Sequence, residues 1–221
     1  MKIDNNKKAT FKLILPMAVL FLSISCVNNV KNEKQDTSTN KQVSKGQVSS
    51  DKVDTYSLID GYKSIKIGDQ IWMAEDLNID LGEESYCYDD DANCNYGRLY
   101  TWNAAAKACP EGWHMPSIEE WRTLAKNYGG CDEDATDDGK SAYKALRQKG
   151  GNGFSARLGG FRNSITKKFD GLGVFGTYWS STEDDERFAH NFFFSNKYGE
   201  GALVKSSFHK SDALSCRCIK D

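Results

Sequence analysis

The sequence predicts an α+β domain over residues 56–221, with an antiparallel sheet, two to three short helices and disulfide staples. Three observations predict it. Residues 97–121, GRLYTWNAAAKACPEGWHMPSIEEW, hold two helix starts among three tryptophans. Residues 188–219 contain three runs of alternating apolar and polar side chains separated by turns, and period-two alternation marks half-buried strands. Six of the seven cysteines follow residue 80, a density that fits an oxidising compartment better than the cytosol.

Taken in order, residues 62–77 alternate at Ile65 and Ile67, turn at Gly68 and Asp69, and resume at Ile71, which is a β-hairpin pattern. Glu75 and Asp76 then read as solvated acids at the strand end. Tyr100, Ala104, Lys107 and Ala108 follow helical spacing until Pro110 stops them, leaving Cys109 at the helix end. Ser117 is an N-cap, Glu120 completes a capping box three residues later, and Trp121, Leu124 and Ala125 form the apolar face of a second helix. A third helix runs from about Ser141 to Lys149 with Ala142, Tyr143 and Leu146 inward, ending in a glycine cluster. Residues 154–162 and 174–182 read as bent strands cut by glycines. Residues 188–194, 202–208 and 213–219 read as the closing strands, and Cys216 and Cys218, two apart on the last, face one side.

Cysteine spacing proposes staples. Cys87 and Cys94 stand at the feet of a short acidic turn, and a bridge there closes about eight residues, worth roughly 2–3 kcal/mol in the chain-entropy picture. Cys109 and Cys131 are the partners open to Cys216 and Cys218. Two acidic loops offer oxygen ligands. Asp89, Asp90 and Asp91 are consecutive and point apart, and the loop with Asp132, Asp134 and Asp137 lacks the glycine and closing glutamate of an EF-hand. Both are expected to be solvated turns, with calcium as the alternative and no cofactor required. His114, His190 and His209 lack metal-site spacing, and His114 is expected to be a hydrogen-bonded structural residue. Tryptophans 72, 102, 113 and 121 are expected in the core. Trp179 is set apart by the charged loop beside it, so Trp179, Asp184, Asp185 and Arg187 form the candidate ligand face.

The first quarter of the chain is different. Four lysines precede an apolar run of about a dozen residues, LILPMAVLFLSIS, which is shorter than the roughly 20 residues needed to span a bilayer. With Ser25 directly before Cys26 and Leu22 nearby, residues 1–25 resemble a bacterial lipoprotein signal peptide, although Ser23 stands where leucine is usual. That resemblance implies a lipid on Cys26 and a membrane partner through the anchor, in the cell envelope and at the outer membrane. Residues 26–55 hold no aromatic side chain and read as a disordered tether. Formal charge is −2 overall; residues 1–25 contribute +3 and residues 26–55 contribute +1, so the domain carries −6. An acidic domain lacks the basic face that releases counterions from phosphate, so no nucleic-acid partner is expected.

Six segments in order resemble the Fibrobacter succinogenes major paralogous domain family: IGDQIWMAEDLN at 67–78, YGRLYTWNAAA at 96–106, CPEGWHMPSIEEW at 109–121, GFSARLGGFR at 153–162, YWSST at 178–182 and SCRCIKD at 215–221. The layout is also similar to the C-type-lectin-like fold, shared with formylglycine-generating enzymes. This resemblance implies a bridge from the first helix to the last strand, Cys109–Cys218, which leaves Cys131–Cys216 as the third pair. The calcium-binding sugar pattern of C-type lectins is absent, since Trp179 is followed by Ser180 and Ser181. The expected function is a non-enzymatic binding or adhesion module for an extracellular glycan, peptide or protein. The alternatives are a structural part of an envelope or fimbria-like assembly, and an enzyme or enzyme subunit of the formylglycine-generating kind.

Overall fold

A computed structural model describes residues 56–88, 94–147, 152–197 and 199–221. Residues 1–55, where a signal peptide, a lipid-bearing Cys26 and a tether are expected, and Asp89 to Asp91 lie outside the described residues.

The domain opens with a meander. β1 (Ser57–Ile59), β2 (Tyr62–Ile67) and β3 (Gln70–Met73) pair antiparallel, Ile59 opposite Tyr62 and Ile67 opposite Gln70. The Gly68–Asp69 turn joins β2 to β3 as the alternation requires. Two-residue strands β4 (Ser85–Tyr86) and β5 (Leu99–Tyr100) follow, then helix α1 (Trp102–Ala108), β6 (Trp113–His114), α2 (Ile118–Lys126) and α3 (Lys140–Arg147). The second half is β7 (Gly159–Arg162), β8 (Phe169–Leu172), β9 (Phe175–Glu183), β10 (Phe188–Ser195), β11 (Ala202–His209), β12 (Leu214–Ser215) and β13 (Ile219–Lys220).

These strands form two sheets. One runs β1-β2-β3-β13-β6, and the other runs β11-β10-β9-β12-β5-β4 with the β7–β8 hairpin attached to β9. The last strand therefore departs from the expected single run over 213–219. It breaks at Cys216, because Leu214 and Ser215 pair in the larger sheet whereas Ile219 and Lys220 pair in the smaller one. At the break the chain is held by Leu77 N–H donating to the Cys216 carbonyl (2.9 Å) and Met73 N–H donating to that of Cys218 (3.0 Å). Two more expectations change. Residues 154–158 form no strand, and β8 arises where none was expected, because the 163–168 turn, closed by Asn163 N–H donating to the Lys168 carbonyl (2.9 Å) and Lys167 N–H to that of Asn163 (2.9 Å), folds the chain back on β7.

The α2 capping box forms reciprocally: Ser117 Oγ accepts from Glu120 N–H (3.3 Å), and Glu120 Oε2 accepts from Ser117 N–H (2.7 Å). That fixes the helix so that Trp121, fully buried, enters the first core. Its ring lies 4.8 Å from Trp72, 5.7 Å from Tyr178 and, stacked, 5.3 Å from Phe192. Leu124, Leu146, Phe154, Phe194 and Leu203 complete this cluster. A second core gathers Met73, Leu77, Tyr100, Ala104, Ala105, Ala108, Trp113, Trp179 and Leu214, and the small α1 alanines let that helix lie close to the sheet.

Between the cores lies an ion pair, and Asp76 is thereby corrected from a solvated acid to a buried one. Arg217 is fully buried and Asp76 nearly so. Arg217 Nε donates to Asp76 Oδ1 (2.8 Å), Nη2 donates to the same oxygen, and Nη1 donates to the Phe154 carbonyl. The guanidinium also lies 4.3 Å over the Phe154 ring. Tyr178 Oη sits 3.1 Å from Asp76 Oδ2 and accepts from Arg157 N–H at 2.7 Å. Gly97 makes room: at φ +80° it sits in the left-handed region, and a Cβ there would fall 2.9 Å from Asp76 Cβ.

Among the described residues two disulfides are present, Cys87–Cys94 and Cys109–Cys218. The expected Cys131–Cys216 bridge is not formed: both are buried free cysteines. They belong to different cores, Cys131 packing with Trp121 and Leu146 and Cys216 with Trp179 and Leu214, so the sheet separates them.

Removing one partner of a buried pair strands the other charge, at a cost of about 3–5 kcal/mol. Asp76→Ala and Arg217→Ala are each expected to lower unfolding stability by that amount in denaturant titration, while Asp76→Leu with Arg217→Met recovers most of it. Cys109→Ser removes a link closing 109 residues and is expected to cost about 4–5 kcal/mol by the same measurement.

Candidate functional site

The structure separates the residues nominated as a ligand face. Trp179 is fully buried, its indole N–H donating to the Tyr100 carbonyl (2.7 Å), so it belongs to the core rather than to a binding surface. Its place in the middle of β9, opposite Asn191, turns the ring inward. The charged turn beyond it is held by its own backbone. Asp185 Oδ1 accepts from Arg187 N–H (2.7 Å) and Phe188 N–H (2.8 Å), and these bonds hold its carboxyl below the usual range. Asp184 lies 3.7 Å from His190 Nε2, and the Arg187 guanidinium stands 5.7 Å from the Phe188 ring. Lys210 Nζ closes the turn by donating to the Asp185 carbonyl (2.8 Å).

The aspartates weighed for calcium do not converge among the described residues. Asp132 accepts from Lys205 N–H at 2.9 Å, Asp134 faces Lys126 at 3.5 Å, and Asp137 accepts from both the N–H (2.9 Å) and the hydroxyl (2.6 Å) of Ser141. Asp132 ties the loop to β11, Asp134 ties it to α2, and Asp137 orders the start of α3. The three histidines also stay apart, His190 against Ser207 and His209 against Phe188.

His114 is bridged on both sides. Nδ1 lies 2.6 Å from Asp221 Oδ1 and Nε2 lies 2.9 Å from Glu120 Oε1. Partial burial pushes this imidazole down, but the hydrogen bonds to Asp221 and Glu120 outweigh it and hold its pKa above the ordinary value. Burial pushes Glu120 up, and the Ser117 N–H and His114 overcome this to lower it. The bridge ties β6 to the start of α2 and is strongest when His114 is protonated and Glu120 is not.

Sequence reasoning missed a group of aromatic side chains on the outer face of β4 and the β7–β8 hairpin. The Tyr88 and Phe169 rings lie 5.1 Å apart, and the Arg162 guanidinium lies 4.1 Å from the Tyr86 ring and 5.8 Å from that of Phe169. All four side chains are half-buried. Gly160 makes the arrangement possible. At φ +68° a Cβ would stand 2.2 Å from the Asp170 carbonyl oxygen and 2.9 Å from the Tyr88 ring, so only glycine lets the hairpin close with Tyr88 lying across it. The Cys87–Cys94 disulfide fixes the segment that carries Tyr86 and Tyr88. Two signals were present in the sequence: Tyr86 and Tyr88 are two apart and share a face of an extended segment, and a Gly-Gly pair precedes Phe161 and Arg162.

A family model for the Fibrobacter succinogenes major domain matches residues 65–220. The chain belongs to that family. The match takes in both disulfides, the Asp76–Arg217 pair and the aromatic group, so in this Fibrobacter succinogenes major domain these are parts of the domain itself. No curated protein and no solved structure matches the chain.

The raised pKa of His114 fixes the sign of a pH effect. Its contribution is complete below the unfolded value of about 6.5 and is lost as pH rises through the higher folded value. For a half-exposed bridge worth about 0.5–1 kcal/mol, the melting temperature is expected to fall by roughly 1–3 °C from pH 6 to pH 8. His114→Gln is expected to flatten that slope in differential scanning calorimetry.

Proposed function

We propose that this chain is a lipid-anchored protein of the cell envelope, at the outer membrane, whose domain is a non-enzymatic binding module for an extracellular glycan or protein ligand. The observation that carries this reading is the outward aromatic group of Tyr86, Tyr88 and Phe169 with Arg162 among the rings. Ring faces pack against the apolar faces of sugars and against apolar side chains, and a guanidinium adds a planar donor for hydroxyls or carboxylates. Such a surface has recognition chemistry but supplies no nucleophile or base. Its rigidity supports the same reading, because a short disulfide loop and a tight hairpin fix the rings before any ligand arrives.

The anchor rests on the sequence: the apolar leader, Ser25 before Cys26, and a polar tether of about 30 residues that would hold the domain roughly 30 Å from the bilayer. The domain is read as C-type-lectin-like. Support comes from the Cys109–Cys218 bond, which joins the first helix to the closing strand. A second reading, a building block of an envelope assembly, draws on β1, an outermost strand of its sheet with Leu58 77% exposed.

The full chain, probed on glycan and protein arrays with and without a chelator, is expected to bind, and the chelator is expected to change nothing. Tyr88→Ala with Phe169→Ala should weaken that binding at least tenfold, as truncation of aromatic anchors does, without altering the melting temperature by more than a few degrees. Unchanged binding in this variant would remove the aromatic group from the reading. Blank arrays together with concentration-dependent growth in sedimentation would favour the assembly reading.

A further inference from the structure

Three sulfurs crowd one corner of the second core. The Sγ atoms of Cys109, Cys216 and Cys218 all lie within 4.8 Å of one another, yet only Cys109 and Cys218 are bonded. Cys216 is a fully buried thiol, while Cys109 at the end of α1 is partly exposed. The backbone accounts for the crowding. Cys216 and Cys218 flank Arg217 on an extended stretch, and because Arg217 is drawn to one side by Asp76, both sulfurs are directed to the other, toward α1. The carbonyls on either side of Arg217 are pinned by Leu77 and Met73, which keeps both sulfurs in place.

We propose that Cys109 has two alternative disulfide partners, and that the domain can exchange its Cys109–Cys218 bond for a Cys109–Cys216 bond without outside oxidant or reductant. The Cys216 thiolate attacks Cys109 Sγ. A Cys109–Cys216 bond forms as the Cys109–Cys218 bond breaks, the electron pair leaves on Cys218 Sγ, and the proton given up by Cys216 ends on Cys218. One thiol and one disulfide are present before and after, the thiol being Cys216 in the first state and Cys218 in the second. The exchange moves the tie of α1 from the residue preceding β13 to the residue following β12, so the helix is tethered on the larger sheet's side rather than the smaller's.

Burial also sets the rate. It pushes the Cys216 thiol up to about 12, and the neighbouring Asp76 carboxylate pushes in the same direction. Tyr100 is the other titratable group coupled to this thiol, and burial raises its own pKa too, so it stays neutral. The Arg217 guanidinium, committed to Asp76 and the Phe154 carbonyl, points away from the sulfurs. The attacking thiolate is therefore scarce at neutral pH, and its abundance grows about tenfold with each pH unit.

Trypsin can read the outcome, because cleavage after Arg217 places Cys216 and Cys218 on separate peptides. The full chain is held without added thiol at pH 7, 8, 9 and 10, quenched with acid, alkylated and mapped by mass spectrometry. The expected result is a Cys109 peptide linked to residues 211–217 that accumulates about tenfold faster per pH unit, with the link to residues 218–220 falling in step. A Cys218→Ser chain is expected to carry the Cys109–Cys216 bond outright and to keep its native circular dichroism. Should Cys218→Ser fail to fold, the wild-type pH series decides alone. Exclusive linkage of Cys109 to residues 218–220 at every pH, linkage to Cys131 instead, or a folded Cys218→Ser chain with Cys109 and Cys216 both alkylated would overturn the proposal.

Discussion

A charge taken wholly out of water at Arg217 is the constraint on which the rest of the domain depends. A guanidinium in the interior is tolerated only when its donors are met, and Asp76 with the Phe154 carbonyl meets them from two separate parts of the chain. Asp76 follows the opening meander, Phe154 follows α3, and Arg217 stands where the closing strand passes from one sheet to the other. Three distant segments are thus fixed to one point. The two cores form on either side of it, Trp121 and Phe154 on one and Trp179 and Leu214 on the other. An apolar side chain at position 217 could be buried equally well but would specify no such alignment.

From that alignment the remaining features follow. The crossing at 216–218 brings the closing strand beside α1, which allows the covalent tie to Cys109. The same crossing delivers β12 next to β5 and β9, and β9 in turn supports the β7–β8 hairpin whose outer face carries Phe169 and Arg162. The aromatic group is therefore placed by the sheet rather than by loop flexibility. His114, Glu120 and Asp221 play the equivalent role at the other edge, where a doubly bridged imidazole joins β6 to the first turn of α2.

Local patterns were legible in the sequence; long-range polar contacts were not. The capping box at Ser117 and Glu120, the hairpin at Gly68, the apolar face of α2 and the strands β10 and β11 all follow from chemistry within a few residues. Asp76 was misread because a lone acid at a strand end looks solvated until its partner, 141 residues away, is known. Trp179 was misread for the converse reason: a charged turn is adjacent in sequence, but its ring points across the sheet into the core. The resemblance to the C-type-lectin-like fold implied the Cys131–Cys216 pair, and the sheet that divides these residues has no trace in cysteine spacing. The aromatic group depends on contacts between residues 86–88 and 160–169, so only its parts were visible, the paired tyrosines and the glycines.

The order of strands in the smaller sheet governs how the domain answers a pull on its N-terminal end. β1 and β2 are antiparallel neighbours at the outside, so traction at Tyr56 separates their hydrogen bonds one at a time, like a zip, at low force. Beyond them β3 is gripped on its far side by β13, directly after Cys218. Unravelling that reaches this strand meets a covalent loop, and the stretch between Cys109 and Cys218, 109 positions apart, cannot lengthen. The meander would act as a yielding leader that lengthens by its first two strands, while the aromatic face, built inside the closed loop except for Tyr86 and Tyr88, stays shaped under tension.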